Sequence, residues 1–188
     1  MNPTPRFSSD WFSGKAHAWQ EHVVPRLAGR AGATWLEVGS YEGRSALWTL
    51  EHVLTGPGTR LYCLDVFDSE LPYLGTWAPN LHYEEVFDAN VAGDPRVVKL
   101  KGRSVDLLPG LAGTILDGAY LDGEHEENTV RAELELVWPM LAPQAVLVCD
   151  DYGFPPQPGA RRAIDAFLAS HPHHQVLFTG FQILILKT

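Results

Sequence analysis

Several acids in this chain follow apolar runs and sit beside glycine turns, and one of them is followed three residues later by a histidine. The segment Leu36-Glu37-Val38-Gly39-Ser40-Tyr41-Glu42-Gly43-Arg44-Ser45 continues an apolar stretch containing Ala33 and Trp35. An acid, a glycine two residues on and a second glycine four residues later predict a strand entering a tight turn that opens a helix. Such a turn lets backbone N–H groups approach a ligand without a Cβ in the way. Asp65 stands 26 residues after Gly39, at the end of the apolar run Leu61-Tyr62-Cys63-Leu64. An acid at the tip of a second strand can hold both ribose hydroxyls of a nucleoside.

Two further acidic groups follow apolar runs. Asp122-Gly123-Glu124-His125 comes after Leu116–Leu121, and Asp150-Asp151-Tyr152 after Ala145–Cys149. Neighbouring parallel strands lie about 4.8 Å apart. If these two adjoin, three carboxylates converge and repel one another unless a cation or protons neutralise them. Hard oxygen ligands suit Mg²⁺, Mn²⁺ or Ca²⁺ better than Zn²⁺. The alternative is that one aspartate caps a helix and another pairs with an arginine. Asp151 is the weakest member of the set, because adjacent side chains in an extended segment diverge. His125, beside these acids, is a candidate general base for a substrate hydroxyl; the other seven histidines read as structural or exposed. Gly102-Arg103-Ser104 offers a hydroxyl either to an adenine edge or as N-cap of a short helix beginning at Val105, and the two roles are compatible.

These residues need a scaffold that brings strand ends together. Short apolar runs predict strands at Thr34–Val38, Arg60–Asp65, Val97–Lys101, Leu116–Leu121, Ala145–Cys149, His174–Thr179 and Phe181–Leu186. Helical patterns lie between them, at Gly43–Leu54, about 80–93, Val105–Leu111, Asn128–Leu141 and Gly159–Ser170. Runs without polar alternation suit a sheet covered on both faces. The alternation predicts an α/β doubly wound, mostly parallel sheet whose ligands bind beyond the strand carboxyl ends. The last two strands, separated around Gly180, should pair as an antiparallel hairpin. His17–Leu27 carries Trp19, Val23 and Leu27 on one helix face, and Pro25 should bend or shorten that helix. Residues 1–14 read as irregular, with Trp11 and Phe12 docking on the body. The connection 66–90, with Phe67, Tyr73, Trp77, Tyr83 and Phe87, either shapes a pocket or joins the core. The proline-rich stretch 152–158 is a candidate substrate wall, or a plain connector.

Composition narrows the classes. The 188 residues fit one domain spanning 1–188, with 45% hydrophobic and 20% charged residues. A net charge of −9 argues against nucleic acid or an anionic membrane surface as the main partner, although Arg161 and Arg162 are adjacent. Cys63 and Cys149 lie inside apolar runs, as buried free thiols of a reducing compartment do; a disulfide between neighbouring strands is the alternative. No apolar stretch reaches the roughly 18–20 residues that span a bilayer. With no signal-like N-terminal run, a cytoplasmic location is the expectation.

In this order, Glu37-x-Gly39-x-x-x-Gly43, Asp65, Gly102-x-Ser104, Asp122-Gly123-x-His125 and Asp150-Asp151-Tyr152 resemble class I S-adenosylmethionine-dependent methyltransferases. The nearer likeness is to the group called methyltransferase family 24, with metal-dependent sugar O-methyltransferases and, more distantly, catechol-type enzymes. The resemblance runs over roughly residues 10–188 and implies a Rossmann-like, seven-stranded sheet ending in an antiparallel strand. It implies that Gly39, Ser40, Tyr41, Gly43 and Ser45 face the methionine part of the cofactor, with Glu37 near its amino group. Asp65 and Val66 would lie at the ribose, Gly102 and Ser104 at the adenine. Asp122, Asp150 and Asp151 would hold a divalent metal, Mg²⁺ by preference, with Asp122 also bordering the cofactor and His125 as base. The methyl acceptor would be a small hydroxylated molecule such as a sugar, polyketide or phenol.

The chain departs from that pattern in three places. It shows no equivalent of an additional acidic ligand found in some relatives. Gln144 stands where relatives often have glycine, which concerns the turn more than the chemistry. Little N-terminal material is present for a substrate lid, which leaves room for a homo-oligomer to supply a wall. Two other readings compete. A nicotinamide-dependent oxidoreductase is disfavoured because Gly39-x-x-x-Gly43 lacks the Gly-x-Gly-x-x-Gly spacing. A non-catalytic nucleoside-binding or scaffold domain is disfavoured by the intact Asp122, His125, Asp150 and Asp151 set.

Overall fold

A computed structural model describes residues 4–67, 82–156 and 158–188. Its described strands form a seven-stranded sheet. In chain order the elements are α1 (Ala16–His22), α2 (Val24–Leu27), β1 (Thr34–Val38), α3 (Arg44–His52), β2 (Arg60–Asp65), α4 (Tyr83–Asn90), β3 (Val97–Lys101), α5 (Ser104–Leu107), β4 (Leu116–Leu121), α6 (Glu127–Val137), β5 (Leu141–Cys149), α7 (Pro158–Ser170), β6 (His174–Thr179) and β7 (Ile183–Lys187). The strand order is β3-β2-β1-β4-β5-β7-β6, reversing direction of travel at β1 and β4. The first five strands pair in parallel; β7 runs antiparallel to both β5 and β6. This is the doubly wound α/β sheet, with its closing antiparallel hairpin, that the alternation predicts.

Each face of the sheet carries its own core. On one, Leu36, Leu64, Ala119, Leu121 and Leu147 meet Val130, Leu134, Ile164 and Phe167 from α6 and α7. On the other, Trp35, Leu61, Cys63, Tyr120 and Val148 meet Trp19, Leu27, Ala46 and Leu50 from α1 to α3. Successive strand residues such as Trp35 and Leu36 therefore enter opposite layers, as the pleat requires. Gly118 on β4 makes room for Trp35: a Cβ there would lie 2.2 Å from the indole Cζ3. Both cysteines are buried and free. Among the described residues, no helix is long and apolar enough to cross a membrane.

Several boundaries differ from the predicted ones; β7, for instance, spans Ile183–Lys187 rather than Phe181–Leu186. The helix predicted over His17–Leu27 is divided at Val23, because Pro25, in the first turn of α2, cannot donate to the preceding turn. The helix predicted to reach Leu141 ends at Val137, and a 3-10 turn over Trp138–Met140 leads straight into β5. That strand begins at Leu141 rather than Ala145, with an irregularity that takes Leu116 and Gly118 of β4 to Leu141 and Val146 of β5. Gln144 lies inside the irregularity with φ 67°, a left-handed conformation that glycine adopts without a Cβ penalty. Tyr73 and Trp77 of the aromatic connection, and Gln157 of the proline-rich stretch, lie outside the described residues.

Replacing Gln144 by glycine should relieve that left-handed strain, offset in part by the greater entropy of glycine in the unfolded chain. The expected net gain is about 0.5–1 kcal/mol, read as a higher denaturant midpoint at unchanged slope. A loss of stability would show that the Gln144 side chain contributes more than its backbone costs.

Candidate active site

The parallel strands end in register. Val38 pairs with Leu64 on one side and Leu121 on the other, and Leu121 pairs with Cys149. One more backbone bond extends each ladder: Gly39 N–H to Leu64 O, Gly102 N–H to Asp65 O, Asp122 N–H to Val38 O and Asp150 N–H to Leu121 O, all 2.8–2.9 Å. Gly39, Gly102, Asp122 and Asp150 thus stand one step past their strands and Asp65 at the end of its own, on one rim.

The glycine turn after β1 has two reasons for its glycines. Gly39, at φ 86°, passes so close to β4 that a Cβ would lie 2.0 Å from the Asp122 carbonyl oxygen. Its absence of a side chain is therefore demanded by the neighbouring strand rather than by a ligand. Gly43, at φ 81°, is the left-handed residue that opens α3. Between them Tyr41 also has positive φ, 46°.

Glu37 is fully buried beneath this turn. Neither of its carboxylate oxygens has a hydrogen-bond partner among the described residues, and neither has the Ser40 hydroxyl. Burial pushes the Glu37 carboxyl up to about 8, with the Ser40 and Ser45 hydroxyls pulling the other way without completing a bond. Asp65 is better satisfied. It accepts the backbone N–H groups of Tyr41 (2.8 Å) and Phe67 (2.9 Å) and the Tyr83 hydroxyl (3.2 Å). Burial still raises its pKa against those bonds. Val66, half-buried, follows directly.

Ser104 is the first residue of α5, not its N-cap, and Arg103 holds the cap position. Its hydroxyl instead donates to Glu133 Oε1. Glu133 is almost fully buried on α6, and burial pushes its carboxyl up to about 7 while the Ser104 bond pulls it down. Sequence reasoning passed over Glu133, yet a signal existed: it interrupts the apolar stripe Val130, Leu134, Val137 at helical spacing.

Beyond β4 and β5 the three aspartates do converge, with one oxygen from each of Asp122, Asp150 and Asp151 within 4.8 Å of the others. Asp151 escapes the divergence of an extended pair because its φ is 54°, which turns its carboxylate back toward the group. Asp150 is buried and crowded. Its Oδ2 receives the Tyr120 hydroxyl, the Lys15 ammonium and, at 3.0 Å, the Gln182 amide; its Oδ1 accepts Asp151 N–H at 2.8 Å. Tyr120 also lies 2.7 Å from Asp122 Oδ2. One hydroxyl proton cannot serve two carboxylates at once. Burial, then the Asp150 charge, pushes Asp122 well above the usual carboxylate range, toward carrying a proton itself. His125 Nδ1 lies 2.8 Å from Asp151 Oδ2. Burial lowers the His125 pKa, but the Asp151 bond and the surrounding carboxylates outweigh it and the net shift is upward.

The N-terminal segment, irregular as expected, lies across this rim. Ser8 donates to Glu42 through its backbone (2.6 Å) and hydroxyl (2.8 Å), and Asn90 holds both the N–H and the carbonyl of Arg6. Trp11 rests on Tyr41 with ring centroids 5.0 Å apart, and Phe12 is buried against Trp19. Phe7, Ser9, Trp11 and Phe12 face Gly39–Glu42 and Asp122 across one pocket. This segment thus walls the glycine turn. Lys15, at the end of this segment, carried no sequence signal, because its partner Asp150 lies 135 residues away.

The unpartnered Glu37 carboxyl makes a pH-dependent cost. Its folded-state pKa lies above the unfolded one, so the ligand-free protein should lose stability as pH rises from about 4.5 to about 8. Glu37→Gln should flatten that loss and stabilise the ligand-free protein at pH 8 by about 2–4 kcal/mol. Parallel denaturant titrations at pH 5 and 8 measure it; equal pH slopes in both proteins would show that Glu37 stays ionised at no cost.

Comparison with known proteins follows the same outline. A family model described as a methyltransferase domain, family 24, matches residues 36–152, more than half of the chain. No curated protein sequence matches. Among solved structures, an O-methyltransferase from Bacillus cereus in complex with SAH is similar at 17% identity and a TM-score of 0.70, over 97% of this chain and 84% of that one. The O-methyltransferase NovP is similar at 18% identity and a TM-score of 0.68, over 91% and 80% of the two chains. CalS11, a TDP-rhamnose 3'-O-methyltransferase of calicheamicin biosynthesis, is similar at 22% identity and a TM-score of 0.62, over 89% and 76%. These likenesses carry the fold, and the family match carries the membership: the chain belongs to the methyltransferase domain family, family 24.

Proposed function

We propose that the protein transfers a methyl group from S-adenosylmethionine to a hydroxyl oxygen of a small molecule, assisted by a divalent cation. The observation that carries the reading is the buried, unpartnered Glu37 carboxyl beneath the Gly39–Gly43 turn. An ionisable group is rarely left so unless a ligand completes it, and the amino group of an amino-acid cofactor is the matching cation. Asp65, at the tip of β2, retains lone pairs for ribose hydroxyls beyond its backbone donors. Ser104 and Gly102 border the place that this assigns to the adenine. The family membership and the printed names of the similar structures favour oxygen as the methyl acceptor.

The cofactor supplies a methyl carbon activated by a positive sulfonium. Transfer breaks the sulfur–carbon bond, forms the oxygen–carbon bond and releases the hydroxyl proton. His125 is the group to take that proton. Asp151 holds its Nδ1, which leaves Nε2 to face the acceptor. Asp122, Asp150 and Asp151 have the hard-oxygen chemistry of a Mg²⁺ site, and such a cation would favour the ionised hydroxyl. Positioning the hydroxyl against the methyl is the larger share of the work. Two exposed aromatic rings near the rim, Trp11 on the pocket beside Gly39–Glu42 and Phe181 beside Lys15, suit a partly apolar, uncharged acceptor. The two buried, reduced cysteines suit a reducing compartment such as the cytoplasm.

Calorimetric titration with S-adenosylhomocysteine, with Mg²⁺ and then with chelator, tests the cofactor. Saturable micromolar binding is expected, and folded protein that binds none would end this reading. With a panel of hydroxylated acceptors, Asp122→Asn should lower turnover at least about 100-fold, within the range seen for loss of general acid–base or metal-site groups. Unchanged turnover would remove the metal from the proposal and leave the cofactor in place.

A further inference from the structure

We propose that Lys15 is the resident counter-ion of the aspartate cluster, and that a divalent cation binds there only by displacing it. The inference rests on the metal reading above and concerns a residue that reading does not use. Three donors crowd Asp150 Oδ2, while Oδ1 accepts only Asp151 N–H, so a metal that takes Oδ2 finds that oxygen already filled. One of the donors has to leave.

The three are not equally free to do so. Gln182 is buried, and its amide oxygen is fixed by the Trp19 indole N–H at 2.9 Å. Tyr120 is fully buried, its ring 4.9 Å from that of Trp19. Lys15 closes a three-residue 3-10 turn over Ser13–Lys15 near the surface, and its side chain is 17% exposed. Its flexible stem can carry the ammonium out to water past the half-exposed Phe181 ring, which the ammonium already approaches to 5.1 Å while held by Asp150. A divalent ion also outcompetes a single positive charge for three carboxylates at equal distance.

Two consequences distinguish this from a purely structural ion pair. Removing the ammonium should leave the oxygens in place and raise their affinity for metal. Metal should in turn expose Lys15. The first is read by calorimetric titration of Mn²⁺ into the full-length wild type and Lys15→Gln, both without cofactor. Lys15→Gln should bind at least tenfold more tightly, and adding Asp150→Asn should abolish the gain. Equal or weaker binding by Lys15→Gln would overturn the proposal, as would no binding by either protein. The second needs no variant, so it stands even if Lys15→Gln does not fold. Acetic anhydride labelling of the wild type, read by mass spectrometry, should modify Lys15 severalfold faster in saturating Mg²⁺, with Lys99 unchanged. An unchanged Lys15 rate would overturn it. Neither readout involves the methyl donor, so failure here leaves S-adenosylhomocysteine binding to be judged by itself.

Discussion

Buried negative charge is the constraint around which this site is arranged. Glu37, Asp150 and Glu133 are each at most 4% exposed, and Asp65 and Asp122 are desolvated beside them. In a low-dielectric setting such groups must be hydrogen-bonded, paired or protonated. The rim uses all three solutions. Backbone N–H groups satisfy Asp65, an ammonium satisfies Asp150, and Asp122 moves toward its protonated form. Glu37 alone of the five has no partner among the described residues. What the ligand-free protein leaves unsolved is then where binding free energy is available, because a ligand cation there relieves a cost already present.

The strand register turns separate acids into a site. Each ladder reaches one residue further than the last paired position, so the rim is a continuous strip of backbone bonds from β3 to β5. Left-handed residues follow it: Tyr41, Phe67 and Asp151 all have positive φ just past β1, β2 and β5. After Tyr41 the chain turns directly into α3. At Asp151 the same left-handed conformation supplies a third carboxylate, so backbone strain and ligand geometry have one cause.

Much of this was legible in the sequence, and the division is physical. Strands such as Thr34–Val38, Arg60–Asp65 and Leu116–Leu121 have the predicted limits, because an apolar run bounded by polar residues is a local signal. The rim acids were legible for the same reason, since each closes such a run. Interactions that join distant segments were not. Nothing near Lys15 announces Asp150, and the Ser104 hydroxyl was read against its own helix when its partner is Glu133 on another. Gly39 was readable as a glycine that matters, but not why: its crowding comes from Asp122, just past a strand not adjacent in sequence.

The Asp150 neighbourhood also bears on how the molecule reaches its folded state. Lys15 meets Asp150 across 135 residues, and Trp19 meets Gln182 across 163. Contacts of such separation carry a large loop-closure entropy and form late. Until β7 is inserted beside β5, Asp150 lacks Gln182, and its carboxylate stays hydrated at the margin of a half-built sheet. Burial of Asp150 and completion of the sheet are thus linked structurally, because the Gln182 amide that covers Asp150 arrives with β7.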